Sequence, residues 1–173
     1  ALPDLLHALA DVKELELIRL HYAYPSKFPM EIIDVMKERD NICNYLDIPL
    51  QHASNNMLKA MKRQITREEM EDLIAEIRNK IPDICLRTTL ITGFPGETRE
   101  DVEELKTFLQ KMRFDRVGIF TYSHEEQTSA HELEDNISPE EKEARAQEIM
   151  DVQQDISLEK NQEKVGKIFK VIV

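Results

Sequence analysis

Hydrophobic residues follow two alternating spacings along this chain, one typical of strands and one typical of helices. Short apolar or alternating runs predict strands at 15–22, 45–50, 85–92 and 116–121. Apolar residues at helical spacing predict helices at 30–39, 54–62, 67–80 and 99–111. Because strands separated by helices form right-handed βαβ crossovers, the pattern predicts an α/β fold with a parallel sheet. The sheet is expected to be either open and doubly wound or part of a barrel.

Local start signals support two of these helices. Thr66 and Glu69 have the spacing of a capping box for the helix that begins at Arg67. Thr98 stands directly before the helix that begins at Arg99, where a hydroxyl side chain can accept a hydrogen bond from a first-turn amide. We therefore expect both helices to start at these residues.

The chain changes character after residue 122. Residues 123–137 are polar, and Ser138 followed by Pro139 predicts the start of a long, charged helix that runs to about residue 164. Its apolar stripe is expected to contain Ala144, Ile149, Val152 and Ile156. A β-prone run follows Gly166. Because an unpaired terminal strand is an aggregation hazard, we expect the chain to be cut short and a further β domain to begin there.

Composition places the chain among globular proteins and disfavours one class of partner. Its 173 residues are 41% hydrophobic, and no apolar run approaches the ~18 residues that span a bilayer. The formal charge of −11 makes nucleic acid an unlikely ligand, because basic residues dominate the affinity for phosphates. No basic segment of a secretion signal opens the sequence, so we expect a cytoplasmic location and no membrane contact.

The presence of only two cysteines limits the kinds of metal site that the chain can form. Cys43 and Cys85 stand at the heads of two strand-like runs, far apart in the sequence. A zinc or iron–sulfur site needs more thiolates, or histidines at ligand spacing. We therefore expect no metal site and no disulfide within this chain, and interpret both cysteines as small buried hydrophobes.

The stretch 89–98 is the strongest local sign of a ligand site. It reads Thr-Leu-Ile-Thr-Gly-Phe-Pro-Gly-Glu-Thr, so that a strand ends at Gly93 and Gly96 and a capped helix follows. Loop backbone at the carboxyl end of a strand can approach a ligand closely where glycines remove the side chain. The alternative is a tight turn in which the glycines only supply positive φ angles.

Three parts of the sequence together resemble the radical S-adenosylmethionine methylthiotransferases. Residues 45–54 read Tyr-Leu-Asp-Ile-Pro-Leu-Gln-His-Ala-Ser and continue into Met-Leu-Lys-Ala-Met-Lys-Arg at 57–63; residues 86–98 and 114–123 complete the likeness. The resemblance runs in order over almost the whole chain. Asp47 and the His-Ala-Ser at 52–54 resemble the branch that modifies an aspartate of the twelfth small-subunit ribosomal protein (S-twelve).

The resemblance implies a partial (βα)6 barrel of the radical S-adenosylmethionine type. Residues 1–137 would form the carboxyl-terminal part of the barrel, 138–165 a connecting helix, and 166–173 the first strand of a small β-barrel (TRAM-like) domain. The family's three-cysteine cluster loop and a second cluster-binding domain would precede residue 1. We expect this chain alone to lack radical chemistry and to be poorly soluble.

For the complete enzyme, the resemblance implies replacement of an aspartate C–H bond by C–S–CH3. The cofactors would be S-adenosylmethionine and two 4Fe–4S clusters, whose ligands are absent from this chain. The partners would be the S-twelve ribosomal protein and an electron donor. Two alternatives stay open: a transfer-RNA adenosine methylthiotransferase, and a cluster-free module that binds a protein partner.

The carboxyl ends of the strands are where the resemblance places cofactor contacts. Gln51 can bond a ribose hydroxyl or the methionine carboxylate, and Arg87 can pair with that carboxylate. Gly93 and Gly96 would let amides approach the adenosyl group, and Phe120 would border the adenine. Each candidate has a competing interpretation. Gln51 could instead cap the following helix, and Arg87 could form a surface ion pair. The two glycines could only shape a tight turn, and Phe120 could pack in the core.

Further candidates are weaker, and no catalytic residue is assigned. They are Arg19, His52 and Tyr122, with His21 on the same strand face as Arg19. Glu97 and Asp101 are expected to bond first-turn amides of their helix. Gln127 stands where many relatives have a glycine, which leaves the conformation of that loop open.

Overall fold

The computed structural model describes residues 1–169. Helices and strands alternate along the chain for most of its length, as the hydrophobic pattern predicts. In chain order they are α1 (Leu2–Ala10), β1 (Ile18–Leu20), α2 (Glu31–Glu38), β2 (Ile42–Asp47), α3 (Asn55–Ala60), α4 (Arg67–Lys80), β3 (Cys85–Thr92), α5 (Arg99–Met112), β4 (Arg116–Thr121) and α6 (Pro139–Gln162).

The strands form one parallel sheet in the order β1-β2-β3-β4. Each strand therefore lies beside its neighbour in the sequence. A doubly wound sheet reverses its strand order at a switch point, whereas a barrel does not. Within residues 1–169 no such reversal occurs, so of the two predicted architectures the sheet fits a segment of a barrel.

The two faces of the sheet differ in burial. Along β3, Leu86, Thr88, Leu90 and Thr92 are buried, while the residues between them are only partly covered. The buried face contacts helices, including α2 on β2 and α6 on β3 and β4. The other face is only partly covered by the described residues, and this open face corresponds to the interior of a barrel.

Helices α4 and α5 begin as their capping signals predict. The Thr66 hydroxyl accepts the Glu69 amide at 3.3 Å, and the Glu69 carboxylate accepts the Thr66 amide at 2.8 Å. Thr98 and Asp101 form the same reciprocal pair. Because these bonds satisfy amides that have no partner inside the helix, they hold the loops that precede both helices.

Strands β1 and β2 depart from their predicted bounds. Strand β1 is shorter than 15–22, and Tyr22 follows it with a φ of 58°, which ends the extended conformation. Strand β2 begins and ends three residues earlier than 45–50. Pro49 has no amide to donate, and pairing resumes only where Gln51 forms an isolated bridge with Leu90.

Helix α6 buries a different stripe from the one predicted. Ile149 and Ile156 are buried and Val152 is partly buried against the core, but Ala144 is exposed. Lys142 and Arg145 are buried instead. The reason is that carboxylates and carbonyl oxygens of the loops after β3 and β4 face this end of the helix, so cations are the residues that pack there.

The residues after α6 do not form a strand as far as residue 169. Gly166 lies in a turn, 167–169 carry no regular structure, and residues 170–173 of the predicted terminal strand lie outside the described residues. The predicted division at 138 and 166 therefore stays a prediction. No helix within residues 1–169 is both long and apolar enough to cross a membrane.

Candidate functional site

A cavity of about 240 Å³ opens at the carboxyl end of the sheet. It lies where the chain leaves β2, β3 and β4. Its lining consists of Gln51, Met61, Lys62, Arg63, Ile91, Phe94, Tyr122, Ser129 and Ala130. Two of the sequence-predicted site residues, Gln51 and Tyr122, are therefore brought together here.

Gln51 is held at the rim of this cavity by its own backbone. Its amide donates to the Thr89 carbonyl at 2.9 Å, and its carbonyl accepts the Ile91 amide at 2.8 Å. Its φ of 75° is unusual for a residue with a side chain, and Lys62, which also lines the cavity, has a φ of 55°. A left-handed backbone conformation costs free energy in residues other than glycine, and such residues are concentrated at binding sites. Their presence is consistent with a functional role for this edge of the sheet.

Arg63 is a candidate that the sequence analysis missed. One guanidinium nitrogen donates to the Pro49 carbonyl at 2.8 Å, and the group lies 4.7 Å from the centre of the Tyr24 ring. Its Nε is buried and has no acceptor among the described residues. Because Arg63 also lines the cavity, its oriented guanidinium is suited to bind an anion such as a carboxylate there. Its sequence signal was its place at the end of the stretch 57–63, which continues the motif at 45–54.

Aromatic side chains form another wall. Tyr122 and Phe94 meet edge to face with their ring centres 5.1 Å apart. Phe120 pairs with Ile91 across β3 and β4 and is 59% exposed on the open face. Phe120 therefore does not pack in the core of the described residues, and its contact with the adenine stays a prediction. A planar ligand bound on this side of the sheet would meet apolar surface from Ile91 and the aromatic rings.

Arg87 does not belong to this cavity. It is the third residue of β3, roughly 13 Å below Ile91 along the strand. Its guanidinium already pairs with the buried Asp47 carboxylate at 2.7 Å and donates to Thr89 at 3.3 Å. The alternative of an ion pair is thus present, although its carboxylate is buried, and the prediction that Arg87 pairs with the methionine carboxylate stays a prediction.

Arg19 and His21 share one face of the chain at β1, as alternation predicts. Arg19 Nε donates to His21 Nε2 at 2.9 Å, and the Arg19 guanidinium lies 4.7 Å from the Tyr45 ring centre. His21 Nδ1 is 3.8 Å from Asp47. These residues form a polar cluster with Asp47 and Arg87 on the open face, away from the lining of the cavity.

The two loop glycines have the positive φ angles that a tight turn requires, 72° at Gly93 and 85° at Gly96. Their amides, however, are used inside the protein. The Gly93 amide donates to Glu97 Oε2 at 2.9 Å, and the Gly96 amide faces Asn136 Oδ1 at 3.5 Å. The expectation that the Gly93 amide is free for a ligand is therefore not met.

Glu97 and His52 are fully buried behind this loop. Glu97 Oε1 lies 3.2 Å from His52 Nε2, and Oε2 accepts both the Gly93 amide and Arg145 Nη1. The Ser54 amide donates to His52 Nδ1, so the ring proton is on Nε2 and points to Glu97. His52 is thus a structural residue, and the expected bond from Glu97 to first-turn amides was wrong, because the side chain turns back to Gly93.

Asp101 behaves as predicted and also joins a second element. Its carboxylate accepts the Thr98 amide at 2.8 Å and a bond from the Ser54 hydroxyl, and Asn56 donates to it from α3. Together with Glu97 it connects the loop after β2 to the loop after β3. Burial of both carboxylates opposes ionisation, but hydrogen bonds from His52 and Arg145 to Glu97, and from Ser54 and Thr98 to Asp101, leave both pKa values below their ordinary range.

These lowered pKa values predict acid sensitivity. A group with a depressed folded-state pKa stabilises the protein above its unfolded pKa and loses that contribution as the pH falls through the folded value. In thermal melts of the full-length protein from about pH 7 to about pH 3, we expect Glu97→Gln to melt at a lower temperature than wild type at neutral pH. The difference in melting temperature should narrow below the ordinary pKa of a glutamate, as the pH approaches the lowered pKa of Glu97. The matched control is Glu148→Gln, which removes an exposed carboxylate. Parallel curves for wild type and Glu97→Gln would contradict the assignment.

Cluster ligands are not assembled in this part of the protein. Within residues 1–169, no group of three or more histidine, cysteine, aspartate or glutamate side chains is placed to hold a metal. Cys43 and Cys85 are both unpaired and partly buried, rather than fully buried as predicted. Burial, with nearby Asp115, raises the pKa of the Cys85 thiol and so disfavours the thiolate that iron would need. An iron–sulfur cluster does not fit these residues.

The chain is similar to known proteins over its whole length. Residues 1–109 match the family model described as the radical SAM superfamily. The chain is 53% identical to ribosomal protein uS12 methylthiotransferase RimO of Flavobacterium psychrophilum over 173 residues, covering 100% of the chain and 40% of that relative. It is 54% identical over 171 residues to the protein of the same name from Cytophaga hutchinsonii, covering 99% of the chain and 39% of the relative. The chain thus spans well under half the length of these curated relatives.

A solved structure shares the fold. Coproporphyrinogen III oxidase (HemN) from Escherichia coli, described as a radical SAM enzyme, superposes with a TM-score of 0.71 at 20% sequence identity. The match covers 90% of this chain and 36% of that protein. At this identity the likeness concerns the fold alone, and it agrees with the order of the four parallel strands.

Proposed function

The chain belongs to the radical SAM superfamily, and we propose that it forms the cofactor-binding barrel segment of an enzyme that methylthiolates an aspartate of ribosomal protein uS12. One observation carries the choice of activity: the similarity to proteins named for it extends over 99–100% of the chain at 53–54% identity. The activity belongs to the full-length protein, of which this chain is a part. The fold and the cavity support the cofactor half of the proposal.

The cavity residues fit S-adenosylmethionine. Arg63, whose guanidinium is oriented by the Pro49 carbonyl, would hold the methionine carboxylate, and Gln51 would bond a ribose hydroxyl or the same carboxylate. Ile91, Phe94 and Tyr122 would cover the adenine and exclude water from it. Phe120 adds exposed apolar surface on the same face.

S-adenosylmethionine, when bound next to a reduced 4Fe–4S cluster, supplies the radical chemistry for breaking a C–H bond. The contribution of this chain is to bind and orient that cofactor and to keep its reactive end dry. Because Cys43 and Cys85 do not form a ligand set, we propose that the ligands of both clusters come from other parts of the full-length protein. A cytoplasmic electron donor completes the proposed system.

The proposal is tested with the full-length protein after cluster reconstitution. Ribosomal protein uS12 and transfer RNA are offered separately with S-adenosylmethionine and a reductant, and products are examined by mass spectrometry. We expect a methylthio group on one aspartate of uS12 and none on the RNA. Modification of RNA alone would assign the transfer-RNA activity instead. No product on either substrate despite an intact cluster would contradict both methylthiotransferase activities, and failure to take up any cluster would favour the cluster-free interaction module.

A further inference from the structure

We propose that one turn of helix α6, carrying Lys142 and Arg145, positions both loops that border the cofactor cavity. In this inference, which rests on the proposed function, these two residues act on S-adenosylmethionine binding without touching the cofactor. The small size of Gly93 is then required by the helix behind the loop and not by the ligand in front of it. Neither cation was expected to be buried.

Arg145 secures the loop after β3. Its Nη1 donates to the Glu97 carbonyl at 2.8 Å and to Glu97 Oε2 at 2.9 Å, while its Nε pairs with Glu141 at 2.8 Å. The Glu97 side chain is fully buried, and the Arg145 side chain is 8% exposed. Since Glu97 Oε2 also accepts the Gly93 amide, the guanidinium and the glycine amide share one oxygen. A shift of this turn of α6 is therefore transmitted directly to Gly93.

Lys142 secures the chain after β4. Its ammonium group pairs with Asp135 at 2.6 Å, lies 3.4 Å from the Tyr122 carbonyl, and stands 5.0 Å from the centre of the Tyr122 ring. The residue is buried although it carries a charge. One side chain thus connects the end of β4, the polar segment before α6 and an aromatic wall of the cavity.

The stem of Lys142 also fills the space beside Gly93. A Cβ placed on Gly93 would overlap Cγ of Lys142 and lie 2.9 Å from its Cβ and Cδ. These atoms are close to the helix backbone, so they have little freedom to move aside. At Gly96, by contrast, an added Cβ meets nothing within 4 Å. Packing against α6 therefore requires a glycine at position 93, whereas the space around position 96 does not.

The loop contacts lead to the cavity in one further step. Phe94 follows Gly93 directly and packs edge to face against Tyr122, whose ring also lies near the Lys142 ammonium group. Both rings line the cavity. If α6 sets the position of Gly93 and of Tyr122, it sets the spacing of this aromatic pair, and with it the affinity for the adenosyl group.

A double-mutant cycle in the full-length, cluster-reconstituted protein tests the inference. The variants are Gly93→Ala, Lys142→Gly and the two combined, and the measurement is the dissociation constant for S-adenosylmethionine. The strain of alanine at positive φ is present in both backgrounds and cancels in the cycle. We expect Gly93→Ala to weaken binding about tenfold in the wild-type background and no more than about threefold in the Lys142→Gly background. Glu143→Gly, an exposed neighbour on α6, is the matched control for helix propensity and should leave the Gly93→Ala effect unchanged.

An equal effect of Gly93→Ala in both backgrounds would overturn the inference, because the loss of affinity would then come from the positive φ angle or from the ligand side and not from the helix. A second arm compares Arg145→Lys with Arg145→Met. We expect the lysine variant to restore part of the cofactor affinity that methionine loses, and Arg99→Gln, at an exposed α5–α6 pair, to change it little. Equal affinities for wild type and Arg145→Met would also contradict the proposal.

The two proposals fail in different ways. If no methylthio product forms but wild type binds S-adenosylmethionine, the proposed activity fails while the cycle still measures the coupling of Gly93 and Lys142. If wild type binds no S-adenosylmethionine, the proposed cofactor role of the cavity fails, and the part of the inference that concerns affinity fails with it. The same double-mutant cycle, with the melting temperature as the measured quantity, then decides whether α6 positions the loop after β3.

Discussion

Replacing Glu97 by leucine is expected to lower the free energy of unfolding of the full-length protein by about 3–5 kcal/mol. The substitution removes the fully buried carboxylate partner of Arg145 and leaves it only the more exposed Glu141, and it also removes the acceptor for the Gly93 amide and for His52. Removing one half of a buried ion pair costs far more than the pair itself contributes, because the remaining charge stays desolvated and has lost its buried partner. Denaturant unfolding of wild type and variant at neutral pH measures the difference.

Two further variants separate the causes of that loss. The double variant Glu97→Leu with Arg145→Met is expected to recover part of the stability, since no buried charge then remains unpaired. Glu148→Gln removes the exposed partner of Arg99 and is expected to cost no more than about 1 kcal/mol. If Glu97→Leu costs as little as Glu148→Gln, the network around Glu97 does not hold the loop.

Replacing Arg63 by methionine is expected to weaken S-adenosylmethionine binding by the full-length protein about 100-fold. Arg63 lines the same cavity as Gln51 and its guanidinium is oriented by the Pro49 carbonyl, and a charge-assisted pair with a carboxylate is among the stronger polar contacts in proteins. Methionine keeps most of the side-chain length but removes every donor. Equilibrium binding of S-adenosylmethionine to the reconstituted protein provides the measurement.

Arg87→Met is the comparison that distinguishes the structural assignment from the sequence-based one. Arg87 pairs with buried Asp47 below the cavity, so its replacement should lower stability while leaving cofactor affinity within about threefold of wild type. Arg99→Met on the exposed surface of α5 controls for the general loss of a positive charge. A large affinity loss in Arg87→Met with none in Arg63→Met would reverse the assignment.

Elements were predicted best where their signals are local. The bounds of β3 and β4 and the start of α4 agree with the hydrophobic pattern and the capping residues. Strands β1 and β2 were displaced because their ends depend on pairing with neighbours: Tyr22 turns to positive φ, and Pro49 interrupts the ladder after β2. Alternation does not contain this information, since it describes which face a residue occupies and not where pairing stops.

In the candidate site, too, residues marked by local signals were predicted and residues placed by tertiary contacts were not. Gln51 and Tyr122 were identified because they follow the ends of parallel strands, which always meet at one edge of a sheet. Arg63 was missed because a helix separates it from the strand, and only the return of the chain brings it beside Gln51. His52 looked like a candidate for the same edge, yet the loop turns its ring inward to Glu97.

The amino-acid sequence alone was sufficient for the α/β class, the parallel sheet, most helix starts and the family resemblance, because periodicity and capping act over a few neighbouring residues. The residues that contact Gly93 could be identified only from the tertiary structure. Arg145 reaches Glu97 across 48 positions, and the stem of Lys142 occupies the space beside Gly93, so the glycine of the Gly-Phe-Pro-Gly-Glu turn faces a helix that follows it late in the chain. Contacts of that separation depend on how the last helix packs across the sheet, and no local pattern encodes that packing.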